Sequence, residues 1–412
     1  MTRFEYAQEV AMLSDRYSHF LLDLVPRFGK SIVCTELIKR WDPKKILILS
    51  GANSTNSQWV ENLEKYNPDL LEITDIYCYQ SAHKLEDIYD VICLDEADLI
   101  SKNRLDYLKE LNPKHWIGMS GTLEEEHIDF FRFLTKGKFY HAKVEFEQAV
   151  EWGILPAPKI YSVSLQMDNT KRYLLFEKGK DKKKKNLIVP FNERWTAFKD
   201  KSKNALIQCT ELEYHQLICE EFEKWKGFES EFELHYNERS EFIKMMQTKG
   251  FNQITCRDKK MRIGNDRKKF FANIKNRWFT KLYSQLPKGS RVLVFCNDIA
   301  QAELLNKEFS VHSKNDSETN ESLIERFNNK EINVLHSVNS LARGVDFVDV
   351  DYLIIVQSSM KQGTQIQKFA RSGLSIAPKT ILMYYPQTQD EKYVNKFLEQ
   401  FKPEWVIRKT LN

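Results

Sequence analysis

The sequence predicts an α/β fold built twice. Short, near-continuous apolar runs recur in the first 150 residues and again after residue 286. Amphipathic helical patterns separate the runs. The stretch between, 160–285, has a different texture, with helical spacing and charge in blocks. Continuous apolar runs suit strands buried on both faces of a parallel sheet, and their alternation with helices suits a doubly wound sheet.

The elements follow in order. Leu21-Leu-Asp-Leu-Val25 is a first buried strand, ended by Pro26, and Ile32, Val33, Leu37 and Ile38 continue at helical spacing. Ile46–Leu49, Tyr89–Leu94 and Trp116–Met119 read as further strands, with helices over Gln58–Tyr66 and Leu105–Leu111. Residues 1–150 thus form one expected domain. Residues 151–285 are expected to be a linker with a helical, basic insertion: 171–185 hold eight Lys/Arg against two acids, 211–241 are rich in Glu, and 257–277 are basic again. Residues 286–412 form the second α/β domain, with strands Val292–Cys296, Asn333–Leu335, Tyr352–Val356 and Thr380–Tyr384 and helices over Gln301–Phe309 and Asn320–Phe327.

Composition narrows the partners only slightly. A net charge of +4 does not by itself indicate nucleic acid, so local distribution must carry that argument. Seven scattered cysteines without a C-x-x-C pair argue against a disulfide framework or a zinc site and fit a reducing compartment. Arg3, Glu5, Glu9 and Asp15 stand where a signal peptide needs an apolar run, and no stretch is long enough to span a bilayer. The expectation is an intracellular, cytoplasmic protein with no membrane partner.

The loop Pro26-Arg27-Phe28-Gly29-Lys30-Ser31 joins the first strand to its helix. Gly29 has no Cβ and lets backbone approach a phosphate. Lys30 and Ser31 sit at a helix N-terminus, where free N–H groups and the dipole favour an anion. Lys30 supplies charge for β- and γ-phosphates, and the Ser31 hydroxyl suits a magnesium ligand. Val25 occupies the position of the usual first glycine, and on this stretch alone a turn into a surface helix is the simpler reading. Asp95-Glu96-Ala97-Asp98 closes the run Val91–Leu94, at a carboxyl strand end where open α/β sheets bind ligands. Asp95 suits magnesium and Glu96 suits orienting a water. Ser120-Gly121-Thr122 ends the next strand, where its hydroxyls can bond the acidic motif and couple it to the γ-phosphate. A solvated acidic turn and a plain turn are the simpler alternatives for these two.

Taken in order, Gly29-Lys30-Ser31, Asp95-Glu96-Ala97-Asp98 and Ser120-Gly121-Thr122 resemble motifs I, II and III of superfamily 2 helicases. In the second unit Val292–Asn297 resembles motif IV, Leu341-Ala-Arg-Gly-Val-Asp346 motif V, and Gln367-Lys-Phe-Ala-Arg371 motif VI. Glu151-Trp-Gly-Ile-Leu-Pro156 and His312-Ser-Lys-Asn315 look closest to phage-type DNA helicases, branch-migration enzymes included. The resemblance implies two tandem RecA-like (P-loop) domains, ATP with Mg2+ in the crevice between them, and hydrolysis. It implies that Arg371 acts as an arginine finger alongside Gln367, that Arg343, Gly344 and Asp346 contact nucleotide, and that Gln8 reads adenine. Departures are Leu374 at the second arginine of motif VI and Ala370 in place of its glycine.

The resemblance also implies nucleic acid across both lobes, with Asn53, Gln80 and Ser81 contacting it from the first and Asn297 and Ser313 from the second. Lys182–Lys185 and Arg267–Lys269 add candidate phosphate contacts, and Trp59 and Trp195 are candidate stacking residues, with core packing the simpler account of Trp59. DNA is favoured over RNA, a monomer is favoured, and replication or recombination proteins are possible partners. The leading expectation is an ATP-driven helicase or translocase. The alternative is a degenerate helicase that clamps nucleic acid with little hydrolysis.

Overall fold

Strands apolar on both faces organise the first lobe. The computed structural model describes residues 1–51, 53–85, 87–170, 172–173, 188–189, 195–196, 208–234, 241–338, 347–358, 362–370 and 379–411. The lobe runs α1 (Arg3–Met12), β1 (Phe20–Leu24), α2 (Lys30–Trp41), β2 (Ile46–Ser50), α3 (Asn53–Tyr66), α4 (Pro68–Leu71), β3 (Thr74–Cys78), β4 (Val91–Asp95), α5 (Lys102–Leu111), β5 (His115–Ser120), α6 (Glu125–Leu134), β6 (Tyr140–Val144) and α7 (Phe146–Glu151). Its sheet is parallel throughout in the order β3-β2-β4-β5-β1-β6. Side chains alternate between two cores. Phe20, Leu22, Ile48 and Cys93 face the cluster that includes Val33 and Leu37 of α2. Leu21, Leu47, Leu49 and Ile92 face the one that includes Leu108 of α5 and Phe131 of α6. The order brings the carboxyl ends of β4, β5 and β1 side by side.

The second sheet is also parallel, in the order β13-β14-β12-β15-β16-β7-β17. Its elements are β7 (Lys159–Leu165), β12 (Val292–Cys296), α11 (Ile299–Asn306), β13 (Ser310–Val311), α12 (Ser317–Asn328), β14 (Val334–Val338), β15 (Tyr352–Ile355), α13 (Gln362–Ala370), β16 (Lys379–Tyr384), α14 (Gln389–Leu398) and β17 (Val406–Leu411). Between β7 and β12 come the two-residue strands β8 (Arg172–Tyr173), β9 (Ile188–Val189), β10 (Trp195–Thr196) and β11 (Gln208–Cys209), then α8 (Glu211–Leu234), α9 (Glu241–Thr248) and α10 (Gln253–Ser284).

The expected domain boundary moves. Residues 159–165, placed in the linker on sequence, form a strand paired with both β16 and β17. Their alternation of Ile160, Ser162 and Ser164 with Tyr161, Val163 and Leu165 lacks the continuous apolar signature of the other strands. The C-terminal half of α10 belongs to the same lobe, since Phe270, Phe271, Ile274 and Phe279 join its core. The helical arm is therefore an insertion within the second lobe. At 32 residues, α10 is about 48 Å long. Lys275 anchors it: fully buried, it pairs with Asp390 at 2.8 Å and donates to the carbonyls of Val356 and Met383, each at 2.8 Å.

The basic tract on α10 is partly consumed by packing. Arg267 is buried, with its guanidinium 4.7 Å from the Phe222 ring centroid, so it does not present itself to phosphate as expected. Lys182–Lys185 and the Trp195 side chain lie outside the described residues. No described helix is long and apolar enough to cross a membrane.

Candidate active site

The phosphate-loop candidate is built from a left-handed turn. Phe28 N–H donates to Val25 O at 3.1 Å, and Gly29, at φ 107, caps the start of α2. Arg27 also has positive φ, 67. A non-glycine residue there costs roughly 1–2 kcal/mol, which surrounding contacts must offset. Phe28 supplies part of that: it is fully buried, 5.1 Å from the Tyr6 ring and 6.3 Å from Trp152. Arg3 supplies more, donating from Nη2 to Arg27 O and Ile154 O, each at 3.2 Å. The Glu151–Pro156 segment thus braces the loop.

Lys30 Nζ lies 3.4 Å from Leu24 O. Burial pushes its ammonium below the usual lysine range, against the pull of Asp95, Asp98, Glu96 and Asp23. Burial pushes the Asp95 carboxyl up, opposed by the Trp59 indole and by Lys30. Each charge is disfavoured by burial and favoured by the other.

Asp95 is held from several sides. Trp59 Nε1–H donates to Oδ2 at 2.8 Å, and Glu96 N–H to Oδ1 at 3.0 Å. Tyr79 O–H donates to the Asp95 backbone carbonyl at 2.9 Å. Glu96 is left-handed, φ 54. A Cβ on Gly51 would stand 2.3 Å from Glu96 Oε2 and 2.6 Å from Leu99 Cδ1, so a larger residue there must displace the ends of both side chains.

Ser120 Oγ donates to Asp98 Oδ1 at 2.8 Å and accepts from Thr122 N–H at 3.1 Å. The hydroxyl turn and the acidic motif are therefore bonded, as the sequence predicts. A Cβ on Gly121 would stand 2.6 Å from Leu24 O and 2.7 Å from Pro26 Cδ, so this glycine lets the turn lie against the phosphate loop.

The second lobe reaches this edge through α13. Arg27 Nε donates to Ala370 O at 2.7 Å across the crevice. Phe146 packs on Phe369 and Phe401, with centroids at 5.4 and 5.5 Å. A cavity of about 430 Å3 beside this contact is lined by Asp23, Thr122, Lys143 and Phe369 but not by Lys30 or Asp95. Gln367 lies half-buried on α13. Arg343, Gly344, Asp346, Arg371 and Leu374 lie outside the described residues.

The remaining candidates scatter. Gln8 is exposed on α1, whereas Arg3 and Tyr6 of that helix touch the loop. Asn53 begins α3, its side chain outside the described residues. Gln80 and Ser81 follow Tyr79 in one short 3-10 turn, tied to β4 by the Tyr79 hydroxyl. Asn297 Nδ2 donates to Asp298 Oδ2 at 3.1 Å, and Ser313 is exposed. Sequence reading assigned no role in the site to Arg3, Tyr6, Gly51 or Tyr79, and for Trp59 it offered base stacking or core packing but not the bond to Asp95.

Residues of this set fit MgATP. Ser31 and the Asp95 carboxylate can hold magnesium, and Lys30 and the first turn of α2, opened by Gly29 at positive φ, can hold phosphates.

Comparison with known proteins bears on the whole arrangement. Residues 274–373 match the helicase conserved C-terminal domain. No curated protein sequence matches the chain. Among solved structures, S. cerevisiae Dbp5 bound to RNA and ADP BeF3 superposes with a TM-score of 0.56 at 11% identity, over 99% of this chain and 88% of that one. A single-residue variant of the same complex gives 0.55 at 10% identity over the same shares. The Pyrococcus furiosus Hef helicase domain gives 0.49 at 12% identity, covering 95% and 97%. The chain therefore has two tandem RecA-like domains in the helicase arrangement, and carries the helicase C-terminal domain match within its second lobe.

Proposed function

We propose that the chain is an ATP-dependent nucleic-acid helicase or translocase of superfamily 2, acting on DNA. One observation carries the reading: Lys30, Asp95, Glu96 and Ser120 converge on adjacent strand ends of one lobe, where α13 of the other lobe docks. Magnesium, when bound, supplies positive charge to the β- and γ-phosphate oxygens. Lys30 and the α2 N-terminus orient the phosphates, Asp95 and Ser31 hold the metal, and Glu96 orients the attacking water and takes its proton. Ser120 and Thr122 tie Asp98 to the phosphate loop, so a change at the phosphates is felt along the turn. Arg371, Arg343 and Asp346 are assigned, from sequence, to completing the site from the second lobe. Nucleic-acid binding is supported by the likeness to a fold that holds RNA in Dbp5. The DNA preference rests on the resemblance to phage-type helicases.

Phosphate release measured with single-stranded, duplex and forked DNA and with RNA tests the proposal. DNA-stimulated turnover is expected, abolished by Lys30→Ala and by Glu96→Gln. Wild-type turnover in either variant refutes the site. A flat, strand-independent baseline favours a clamp.

A further inference from the structure

The segment that braces the phosphate loop is itself held by the other lobe. α7 and the residues after it form one piece, tied by backbone bonds. Trp152 N–H donates to Gln148 O at 3.0 Å, Gly153 N–H to Val150 O at 2.9 Å and Ile154 N–H to Ala149 O at 2.9 Å. The far end of this piece bears on the loop. Trp152 lies 6.3 Å from the Phe28 ring and 5.7 Å from Tyr6, which meets Phe28 edge-on at 5.1 Å. One nitrogen of Arg3 bonds both Ile154 O and Arg27 O.

The near end is seated in the second lobe. Phe146 opens α7, with ring centroids 5.4 Å from Phe369, 5.5 Å from Phe401 and 5.9 Å from Trp405. It packs against the first-lobe core that contains Phe28 and against the second-lobe core that contains Phe369. Lys402, between Phe401 and Trp405 in sequence, lies 2.7 Å from the Glu147 carboxylate and 3.0 Å from that of Glu151, one turn further along α7. Both carboxylates are more than half exposed, so these pairs add little stability and act by fixing register; the aromatic seat carries the energy. The cavity of about 430 Å3 adjoins this seat, with Val25, Phe146, Phe369 and Phe401 in its wall, so the seat can shift without breaking into a filled core.

We propose that Phe146 is a positioning residue for the phosphate loop. Seated among Phe369, Phe401 and Trp405, it makes α7 a lever, and the loop's hold on nucleotide depends on where the second lobe sits. The proposal rests on the reading of the crevice as an ATPase site and deepens it. α7 is the last element of the first lobe before the chain enters β7, so a displacement of the second lobe acts on it directly. Backbone bonds carry that displacement to Trp152 and Ile154, and from there it reaches Phe28 and Arg3. Linkage makes the effect reciprocal: the factor by which seating tightens nucleotide is the factor by which nucleotide favours seating.

The full chain is tested as wild type, Phe146→Ala, Phe146→Leu, Lys402→Glu, the charge swap Lys402→Glu/Glu147→Lys/Glu151→Lys, and Lys30→Ala as control. MgADP affinity is read by titration calorimetry. Lobe separation is read by energy transfer between dyes attached in place of Glu110 on α5 and Glu321 on α12, both exposed. MgADP is expected to change the energy transfer in wild type. Phe146→Ala is expected to weaken MgADP about tenfold and to remove that change, and Phe146→Leu to recover most of both. Lys402→Glu is expected to weaken MgADP about threefold, and the charge swap to restore it, which a general loss of packing would not do. Thermal melts establish folding; should Phe146→Ala fail to fold, Lys402→Glu and the charge swap decide. A Phe146→Ala affinity within about twofold of wild type overturns the proposal. So does a weakened affinity with the energy-transfer response intact, or a charge swap no better than Lys402→Glu. A wild type that does not bind MgADP, or binding undiminished in Lys30→Ala, overturns the ATPase reading and this proposal with it. Binding that needs Lys30 but not Phe146 removes only the Phe146 assignment.

Discussion

Trp59→Phe tests whether α3 holds the carboxylate assigned to magnesium. The indole is 5% exposed and its N–H lies 2.8 Å from Asp95 Oδ2. Phenylalanine keeps most of the buried ring and loses the donor. A hydrogen bond to a charged group contributes roughly 1.5–3 kcal/mol, and the lost ring volume adds about 1 kcal/mol. The loss falls on a carboxylate that burial already disfavours. The first lobe should therefore lose about 2–4 kcal/mol, lowering its melting transition by roughly 5–10 °C. A double-mutant cycle with Asp95→Ala isolates the bond, with an expected coupling of about 1.5–3 kcal/mol. The magnesium concentration that half-saturates ADP binding should rise several-fold. A coupling below about 0.5 kcal/mol with an unchanged magnesium requirement would refute the reasoning.

Ser120→Ala removes the bond to Asp98 and should leave basal ATP turnover within about fivefold while strand stimulation and unwinding fall at least tenfold, read by parallel phosphate-release and strand-displacement assays. Lys275→Met leaves Asp390 buried without its cation; chemical denaturation should show a second lobe destabilised by about 3–5 kcal/mol, and a loss under about 1 kcal/mol would show the pair to be solvated. His336 is buried with both ring nitrogens unpartnered among the described residues, and burial lowers its pKa from 6.5 to about 4. The unfolded chain takes up the proton first, so its contribution is complete above pH 6.5 and is lost as pH falls towards 4. That loss amounts to at most about 3 kcal/mol. Urea denaturation at pH 7 and pH 5 should show His336→Leu flattening this dependence; an unchanged acid sensitivity would assign it to other groups.

Features with a local period were legible in the sequence. Val292–Cys296 was read as a strand with its observed limits, because all of its side chains are apolar and buried. The order of the motifs foretold that Lys30, Asp95 and Ser120 would meet, since strand ends of one parallel sheet share an edge. What stayed hidden depends on partners distant in sequence. β7 carries the alternation of a strand, and only its pairing with β16 and β17 assigns it to the second lobe rather than to the linker. Arg267 looks like part of a basic run until Phe222 of α8 is placed under it. Trp59 is buried, in line with core packing, the simpler of its two accounts, yet a hydropathy pattern cannot show where an indole N–H points.

That N–H bears on how two distant events can be joined. The two first-lobe segments assigned to nucleic acid, the start of α3 with Asn53 and the turn with Gln80 and Ser81, each send one bond to Asp95: Trp59 to its carboxylate and Tyr79 to its carbonyl. Arg104 stacks 5.2 Å from the Tyr79 ring and donates to Leu99 O at 2.7 Å, which stiffens the second of these paths. A strand that displaces either segment must therefore stretch a bond to the residue proposed to hold magnesium, with no relay through the second lobe. Bonds of this kind are a physical basis for coupling only if both ends sense the same displacement. Tyr79→Phe and Trp59→Phe should then each reduce strand stimulation of ATP turnover more than they reduce the basal rate, and the double variant should lose more than either. Equal loss of basal and stimulated rates would instead show that these bonds merely support the fold around Asp95.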